Sequence, residues 1–257
     1  MIETVNDKDG FVANVWRAIQ FSPDETARWC DWPVNHADLS ARKKELIKNE
    51  DRLLENLIAD PEWHDPKMAG YWIWAASCWI GSGLTRTGSI PNISDSGMGV
   101  HAIGKRNHIY DWFNELSERL RHVRVVCGDW TRVCGGNWQD KNGECGMFFD
   151  PPYGVTDRDT SIYHHDSTSI ASDVMAWVRE RGNNNRYRIV LAGYEEHMPL
   201  VNENGWSCNA WKTNGGYSNT QRKKDSTAIG KENAKREMLY FSPHCIVEKT
   251  SESGGLF

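Results

Sequence analysis

Three apolar runs that each end in glycine or polar residues constrain the fold of this chain more than any other feature. They cover residues 123–127, 145–149 and 187–192, and they are followed by Gly128-Asp129-Trp130, Asp150-Pro151-Pro152-Tyr153 and Gly193-Tyr194-Glu195. In an open α/β sheet the carboxyl ends of parallel strands share one edge, and ligands bind at that edge. We therefore predict an α/β fold in which residues 123–127, 148–150 and 188–192 form adjacent parallel strands.

The first residues of the chain predict a further strand followed by a helix. Residues 2–5 alternate apolar and polar side chains, and residues 6–10 form an acidic turn. Phe11, Val15 and Ile19 then recur at helical spacing. A last short strand is predicted at residues 238–241.

Residues 31–108 follow a different pattern. Residues 41–58 are highly charged with one apolar stripe, and residues 71–79 are apolar on almost all sides, so both predict helices. The stretch from there to His108 is rich in Gly, Ser, Thr and Asn and predicts a long surface loop. We therefore predict one main domain from residues 1–30 and 109–257, with residues 31–108 as a helical insertion.

Composition and charge exclude several classes of protein. The 257 residues include 13 Trp, 8 Tyr and 7 Phe, which is too many for a disordered chain. The net charge of -5 does not indicate a nucleic-acid binder, but a local basic face is sufficient for one. The longest apolar stretch, residues 71–80, is too short to cross a bilayer, and the acidic start at Glu3 and Asp7 does not resemble a signal peptide. We expect a soluble cytoplasmic protein with no membrane contact.

The seven cysteines carry little functional signal. No two of them form a C-x-x-C pair, and the spacing of Cys127, Cys134 and Cys145 does not fit a zinc knuckle. We expect reduced and mostly buried thiols rather than structural zinc, and no metal site.

The strongest functional signal is the apolar run that enters Asp150-Pro151-Pro152-Tyr153. Two prolines restrict the backbone and remove two N–H donors, so the turn is rigid and its carbonyl groups point outward. An amino group with two N–H bonds can be held between the Asp150 carboxylate and the Pro151 carbonyl, while the Tyr153 ring stacks on a flat base. The structural alternative is a Pro-Pro turn with an aromatic cap.

Several other segments accompany this motif and carry a resemblance to a known family. They are Glu3-Thr4-Val5-Asn6-Asp7-Lys8-Asp9-Gly10-Phe11, Asp31-Trp32-Pro33-Val34-Asn35, Ser77-Cys78-Trp79-Ile80-Gly81-Ser82-Gly83, Cys127-Gly128-Asp129-Trp130 and Phe241-Ser242-Pro243-His244-Cys245. As a set, they resemble the phage and bacterial N6-adenine DNA methyltransferases of the class related to the GATC-methylating enzyme. The resemblance implies a Rossmann-like sheet that binds the cofactor S-adenosylmethionine.

The resemblance also implies roles for single residues. Asp7 matches an acidic residue near the cofactor ribose, and Asp129 with Trp130 matches a segment whose acidic residue contacts the cofactor adenine. The residues that match the catalytic motif are Asp150, Pro151, Pro152 and Tyr153. The structural alternative for Asp7 and Asp129 is capping of strand-to-helix turns, where Asp is favoured.

The implied reaction is methylation of adenine N6 in double-stranded DNA. The base has to be flipped out of the duplex to reach such a pocket. Positioning and electrostatic complementarity then carry the catalysis, without a general base of unusual pKa. The alternatives are methylation of cytosine N4 or of RNA adenine, and a non-catalytic DNA-binding remnant.

One element of the family is not recognisable in this sequence. Members begin with a Gly-Gly-Lys segment and a strand that ends in a glycine-rich turn such as F-x-G-x-G, whereas Met1-Ile2-Glu3 already matches the second strand. Gly81-Ser82-Gly83 follows a helical pattern and does not replace that turn. Because the family's first strand lies centrally in the sheet, its absence predicts two neighbours that lack a partner. The explanations are a truncated remnant, a second polypeptide that supplies the strand as in a split enzyme, or a start at an internal methionine.

Residues 215–237 are the first candidate for DNA contact. This polar segment contains six basic and three acidic side chains, and Arg222, Lys223 and Lys224 form its basic centre. The functional interpretation is contact with phosphates, and the structural alternative is a solvated loop. Residues 81–108, with Arg86, Lys105 and Arg106, are the second candidate.

Overall fold

The computed structural model describes residues 2–79, 84–85, 109–135, 143–151, 168–210 and 237–246. The chain forms two compact units, and the described residues up to 135 belong to the first and those from 143 onward to the second. Both units combine helices with strands, which confirms the α/β class. Within the described ranges, no helix is both long and apolar enough to cross a membrane.

The first unit contains six helices and two strands among its described residues. They are β1 (Glu3–Asp7), α1 (Gly10–Phe21), α2 (Pro23–Cys30), α3 (His36–Ala59), α4 (Pro66–Cys78), α5 (Ile109–Leu120), β2 (Val123–Cys127) and α6 (Thr131–Cys134). The second unit adds β3 (Cys145–Phe149), α7 (Thr168–Arg181), β4 (Tyr187–Gly193), a single 3-10 turn (Glu195–His197), α8 (Met198–Asn204), β5 (Ser207–Ala210) and β6 (Met238–Phe241).

Strands β1 and β2 form a parallel pair in which Glu3 lies opposite Val123 and Asp7 opposite Cys127. The prediction placed Asn6 and Asp7 in a turn, and this was wrong. Both residues continue the ladder of β1, because pairing with β2 outweighs their low strand propensity.

Side chains close the outer edge of β2. Its alternate carbonyl groups accept hydrogen bonds from Gln20 Nε2 at 3.0 Å, from Arg17 Nη2 at 3.1 Å and from Arg132 Nη1 at 2.9 Å. The three acceptors are the carbonyl oxygens of Val123, Val125 and Cys127. Because these carbonyl groups already have donors, β2 is protected from pairing with a further strand on this side.

The helices of the predicted insertion share their core with the rest of the first unit. One cluster joins Phe11 of α1 to Leu46 and Leu53 of α3, to Met68 of α4 and to Cys127 of β2. A second cluster joins α1, α2 and α5 around Ile19, Cys30 and Phe113. Residues 31–79 therefore pack as part of this unit rather than as a separate body.

Helices α2 and α4 approach each other closely at Gly70. A Cβ atom added there would lie 2.3 Å from the Cβ of Trp29 and 2.9 Å from the carbonyl oxygen of Thr26. Both neighbours belong to α2, and one of the contacts is with backbone, so the contact can be relieved only by moving a helix.

We expect Gly70→Ala to lower the free energy of unfolding by about 1–3 kcal/mol, because the added methyl group overpacks this contact. Urea unfolding followed by tryptophan fluorescence measures the change. Gly146→Ala is the matched control, since a Cβ at Gly146 meets nothing within 4 Å. Equal stabilities of the two variants would contradict the close packing of α2 on α4.

The second unit contains a four-stranded sheet in the order β3-β4-β6-β5. Strand β3 pairs with β4 in parallel, and β6 lies antiparallel between β4 and β5. Helix α7 covers one face of this sheet: the Trp177 ring lies 5.4 Å from that of Phe149 and stacks on that of Tyr187 at 6.3 Å.

The predicted adjacency of three parallel strands is confirmed for two of them. Strands β3 and β4 pair as predicted. Residues 123–127 do form a strand, but they pair with β1 in the two-stranded sheet, so the expected pairing beside β3 was wrong. The sequence pattern did not predict α2, α6, α8 or β5. The residues of β5, Ser-Cys-Asn-Ala, have little strand propensity and are held by pairing with β6.

Candidate functional site

The carboxyl ends of β1 and β2 bring two of the predicted cofactor residues to one edge. The amide of Gly128 donates to the carbonyl of Asp7 at 2.9 Å, directly where β2 ends. Gly128 has a φ of +144°, which favours glycine, and a Cβ there would meet the Arg132 side chain. Asp129 follows this turn, so the chain leaves β2 at the same edge at which Asp7 ends β1.

The half-buried carboxylate of Asp7 forms the turn between β1 and α1. Its Oδ1 accepts a hydrogen bond from the amide of Asp9 at 2.8 Å, and Oδ1 of Asp9 accepts one from the amide of Phe11 at 2.8 Å as the cap of α1. Burial raises the pKa of Asp7, and the amide of Asp9 opposes this effect. These are the local bonds that the capping alternative predicts.

Asn6 is a polar residue of this edge that sequence reasoning did not single out. Its Nδ2 donates to the carbonyl of Gly128 at 3.1 Å and so ties β1 to the turn after β2. Its Oδ1 is buried and has no hydrogen-bond partner among the described residues. A buried amide oxygen of this kind is costly without a donor and therefore suits a ligand that brings one.

The Asp129 carboxylate is held by the residue that begins α6. Its Oδ1 accepts from the Thr131 hydroxyl at 2.6 Å and from the Thr131 amide at 3.0 Å. These bonds lower the pKa of Asp129, so the group is a carboxylate at neutral pH. Trp130 lies between the two residues as the N-cap of α6 and is half-buried.

Asp150 follows β3 at the carboxyl end of the β3–β4 pair, in the second unit. Phe149 before it is buried against Trp177, Asp150 is exposed, and Pro151 is buried. The strand therefore presents one carboxylate between two anchored residues. Pro152 and Tyr153, the rest of the predicted motif, lie outside the described residues.

The end of β4, next to β3, is built from buried aromatic and polar groups. The Tyr240 hydroxyl donates to the carbonyl of Tyr194 at 2.6 Å, and both residues are buried. His197 is 4% exposed, and its ring lies edge-on to Tyr240 at 5.5 Å. A Cβ at Gly193 would fall 2.2 Å from Cδ2 of His197, so this position of the ring requires glycine.

Burial lowers the pKa of His197, and the Glu196 carboxylate, 3.8 Å from Nε2, opposes this effect. The folded state therefore favours the neutral ring, whereas the unfolded chain takes up the proton near the ordinary value of about 6.5. The stability that depends on the neutral ring is present above that pH and is lost as the pH falls below it.

We expect the free energy of unfolding to fall between about pH 7 and 5.5, and His197→Asn to reduce this dependence. Urea titrations at several pH values measure it. Glu196→Gln removes the carboxylate that favours the charged ring and should make the acid loss steeper. If wild type and His197→Asn show the same pH dependence, His197 is not the group that causes the loss of stability in acid.

The predicted DNA-contact residues Arg222, Lys223 and Lys224 lie outside the described residues. The same holds for Arg86, Lys105 and Arg106 of the second candidate segment.

The edge at β1 and β2 presents three side-chain groups that accept hydrogen bonds. Asp7 and Asp129 are hydrogen-bond acceptors, and the buried Oδ1 of Asn6 is a third. Three acceptors of this kind suit a ligand that carries hydroxyl or amino donors.

In the comparisons with known proteins, no protein-family model matches the chain and no curated protein matches it.

Proposed function

We propose that this protein is a DNA methyltransferase that transfers a methyl group from S-adenosylmethionine to N6 of a flipped adenine. The observation that carries the proposal is the exposed Asp150 carboxylate directly after a buried strand, followed by the buried Pro151, at the carboxyl end of a parallel pair. Two acidic residues at the carboxyl end of the other parallel pair support it.

The proposed fold is a Rossmann-like methyltransferase sheet. The described strands form a two-stranded sheet, β1-β2, and a four-stranded sheet, β3-β4-β6-β5, and this division supports the proposed fold. The family's topology implies such a division when the central strand is not part of the sheet. Among the described residues, β1 and β3 each pair on one side only, as the neighbours of such a strand would.

The chemistry depends on orienting a poor nucleophile. The lone pair of the adenine amine is delocalised into the ring, and hydrogen bonds from its two N–H groups to the Asp150 carboxylate and the Pro151 carbonyl would localise it. Tyr153 would stack on the flipped base. S-adenosylmethionine supplies an electrophilic methyl group, and Asp7, Asp129 and Asn6 would hold its ribose and adenine parts. We place the reaction in the cytoplasm of a bacterium or a phage-infected cell, with Arg222, Lys223 and Lys224 on the DNA phosphates.

A test incubates the chain with double-stranded DNA and cofactor labelled in the methyl group. Label recovered in N6-methyladenine supports the proposal. Label in N4-methylcytosine or in RNA adenine supports the related alternatives. DNA retention without cofactor binding supports a non-catalytic DNA-binding remnant.

We expect Asp129→Asn to weaken S-adenosylmethionine binding about ten- to hundredfold, the effect of losing a hydrogen bond to a charged group. Isothermal titration calorimetry measures the dissociation constant. Thr131→Val is the matched control, because it removes the Thr131 hydroxyl bond to the carboxylate but keeps the carboxylate. If Asp129→Asn binds the cofactor like wild type, Asp129 serves only as a cap.

A further inference from the structure

Ser22 and His64 form a hydrogen-bonded pair in the first unit, at the point where α1 meets α2. Ser22 Oγ lies 2.9 Å from Nε2 of His64, and Nδ1 of the same ring lies 2.8 Å from the main-chain carbonyl oxygen of Glu62. Because a carbonyl oxygen can only accept, Nδ1 of the neutral ring carries the hydrogen and Nε2 accepts the hydrogen bond from the Ser22 hydroxyl. This is the arrangement of a serine nucleophile, a histidine base and a group that orients the base.

Neighbouring groups hold both members of the pair in place. The amide of Ser22 donates to the carbonyl of Ala18 at 2.8 Å, and the carbonyl of Ser22 accepts from the amide of Thr26 at 3.0 Å. The Phe21 ring lies 5.4 Å from the His64 ring, with 33° between the two planes. The main chain of the serine and the ring of the histidine are therefore positioned before a substrate binds, and such positioning lowers the entropic cost of a reaction.

Ser22 is also the N-cap residue of α2, but its hydroxyl group does not cap the helix. A serine in this position normally accepts a hydrogen bond from the second or third amide of the helix. Here those amides belong to Asp24 and Glu25, because Pro23 occupies the first position. Since the hydroxyl group bonds to His64 instead, two N–H donors lie within reach of an acyl group attached to Ser22 Oγ. Donors in that place would stabilise the oxyanion that forms when the hydroxyl attacks a carbonyl carbon.

The surroundings of the pair indicate the class of substrate. The Phe21 side chain is 50% exposed beside His64 and offers an apolar contact. The carboxylates of Asp24 and Glu25 lie in the first turn of α2 and would repel an anionic substrate. The pair therefore suits a neutral ester that carries an apolar group.

We propose that Ser22 and His64 are the nucleophile and the general base of an esterase site that cleaves neutral carboxylic esters. Ser22 Oγ forms a bond to the carbonyl carbon while its proton moves to Nε2 of His64. The bond between that carbon and the alcohol oxygen then breaks, and the alcohol leaves with the proton. Water next attacks the acyl group and gives a proton to Nε2, and Ser22 Oγ leaves with that proton as the acid is released. The proposal depends on neither DNA nor S-adenosylmethionine.

The test uses the full chain, an alkyl fluorophosphonate and the ester 4-nitrophenyl acetate. The fluorophosphonate captures an activated serine by forming a bond between Oγ and phosphorus as fluoride leaves, and peptide mass spectrometry identifies the modified residue. In the wild-type chain we expect the phosphonate on Ser22. We also expect each chain to release 4-nitrophenol from the ester over more than one turnover, without cofactor and without DNA.

Variants separate general-base catalysis from the reactivity of an exposed serine. Ser22→Ala should lose the phosphonate and the ester turnover, and His64→Gln should slow the labelling of Ser22 by about a hundredfold or more, the usual contribution of a general base. Ser117→Ala is the matched control and should behave like wild type, because the Ser117 hydroxyl donates to the carbonyl of Gln20 at 2.8 Å instead of to a base. Circular dichroism checks that all three variants keep their helices.

Four results would overturn the proposal. The wild-type chain would carry no phosphonate on Ser22, other serines would be labelled as fast as Ser22, Ser22 would be labelled at the wild-type rate in His64→Gln, or Ser22→Ala would hydrolyse the ester as fast as wild type. In each case the bond between Ser22 and His64 only ties the start of α2 to the residues before α4. None of these results bears on whether the chain transfers methyl groups, which the assay with labelled cofactor reports.

Discussion

Replacing Asp150 by alanine is expected to lower the rate of methyl transfer by about a hundredfold or more while the chain stays folded. The substitution removes the acceptor for one N–H of the target amine, and such a bond contributes on the order of 2–4 kcal/mol in the transition state. Asp150 is exposed at the end of β3, so no core packing is lost. Single-turnover transfer of labelled methyl groups to DNA measures the effect.

Two further variants accompany Asp150→Ala: the conservative change Asp150→Asn and a control at a distant aspartate, Asp173. The asparagine variant keeps the size of the side chain and one acceptor oxygen but loses the charge, so its rate should fall between wild type and Asp150→Ala. Asp173→Ala, exposed on α7 in the same unit, should keep the wild-type rate. Full activity of Asp150→Ala would show that the chain does not work through this motif, whatever the outcome at Asp173.

Replacing Arg17 by methionine is expected to lower the free energy of unfolding by about 3–5 kcal/mol, the largest stability effect that we predict. Arg17 is 3% exposed, and its guanidinium group donates to the carbonyls of Val125 in β2 and of Leu57, Asp60 and Trp63 at and beyond the end of α3. Each buried carbonyl left without a donor costs about 1–3 kcal/mol, and part of this cost is recovered by relaxation and water.

Arg124→Met is the matched control, because Arg124 lies next to Val125 on β2 and its side chain is exposed. Surface substitutions of this kind usually change stability by about 0.5 kcal/mol or less. Urea unfolding measures both variants, and amide exchange along β2 shows whether the strand loosens first. If Arg17→Met lowers the free energy of unfolding no more than Arg124→Met does, water replaces the guanidinium group without cost.

Local pattern was sufficient to predict several strands and one part of the site. The bounds of β2, β3 and β6 follow from apolar runs that end in Gly, Asp or Ser, and such runs are short-range information. The edge shared by Asp7 and Asp129 was also predictable, since parallel strands that end in acidic residues bring them together. Both carboxylates accept hydrogen bonds from nearby amides, as the capping alternative predicts. The geometry of this edge is therefore compatible with capping as well as with cofactor binding.

Arg17 and Phe148 show where pattern alone is insufficient. An arginine in a helix is normally assigned to the surface, and only the meeting of α1, α3 and β2 creates the four carbonyls, two of them fully buried, that hold its charge. Phe148 in an apolar run is normally assigned to the core, and yet the described structure leaves it 64% exposed. Burial depends on which element covers a residue, and that partner is not encoded within a few positions along the chain.

The sequence by itself determined the α/β class, the position of most strands and the acidic residues at their carboxyl ends, because side-chain periodicity and turn chemistry act over a few residues. Only the tertiary structure decided that β2 pairs with β1 and not with β3, and that Gln20, Arg17 and Arg132 close the outer edge of β2. Residues 17 and 20 lie about a hundred positions from that strand. Their contacts depend on how the helices pack, and packing is settled by the whole unit at once.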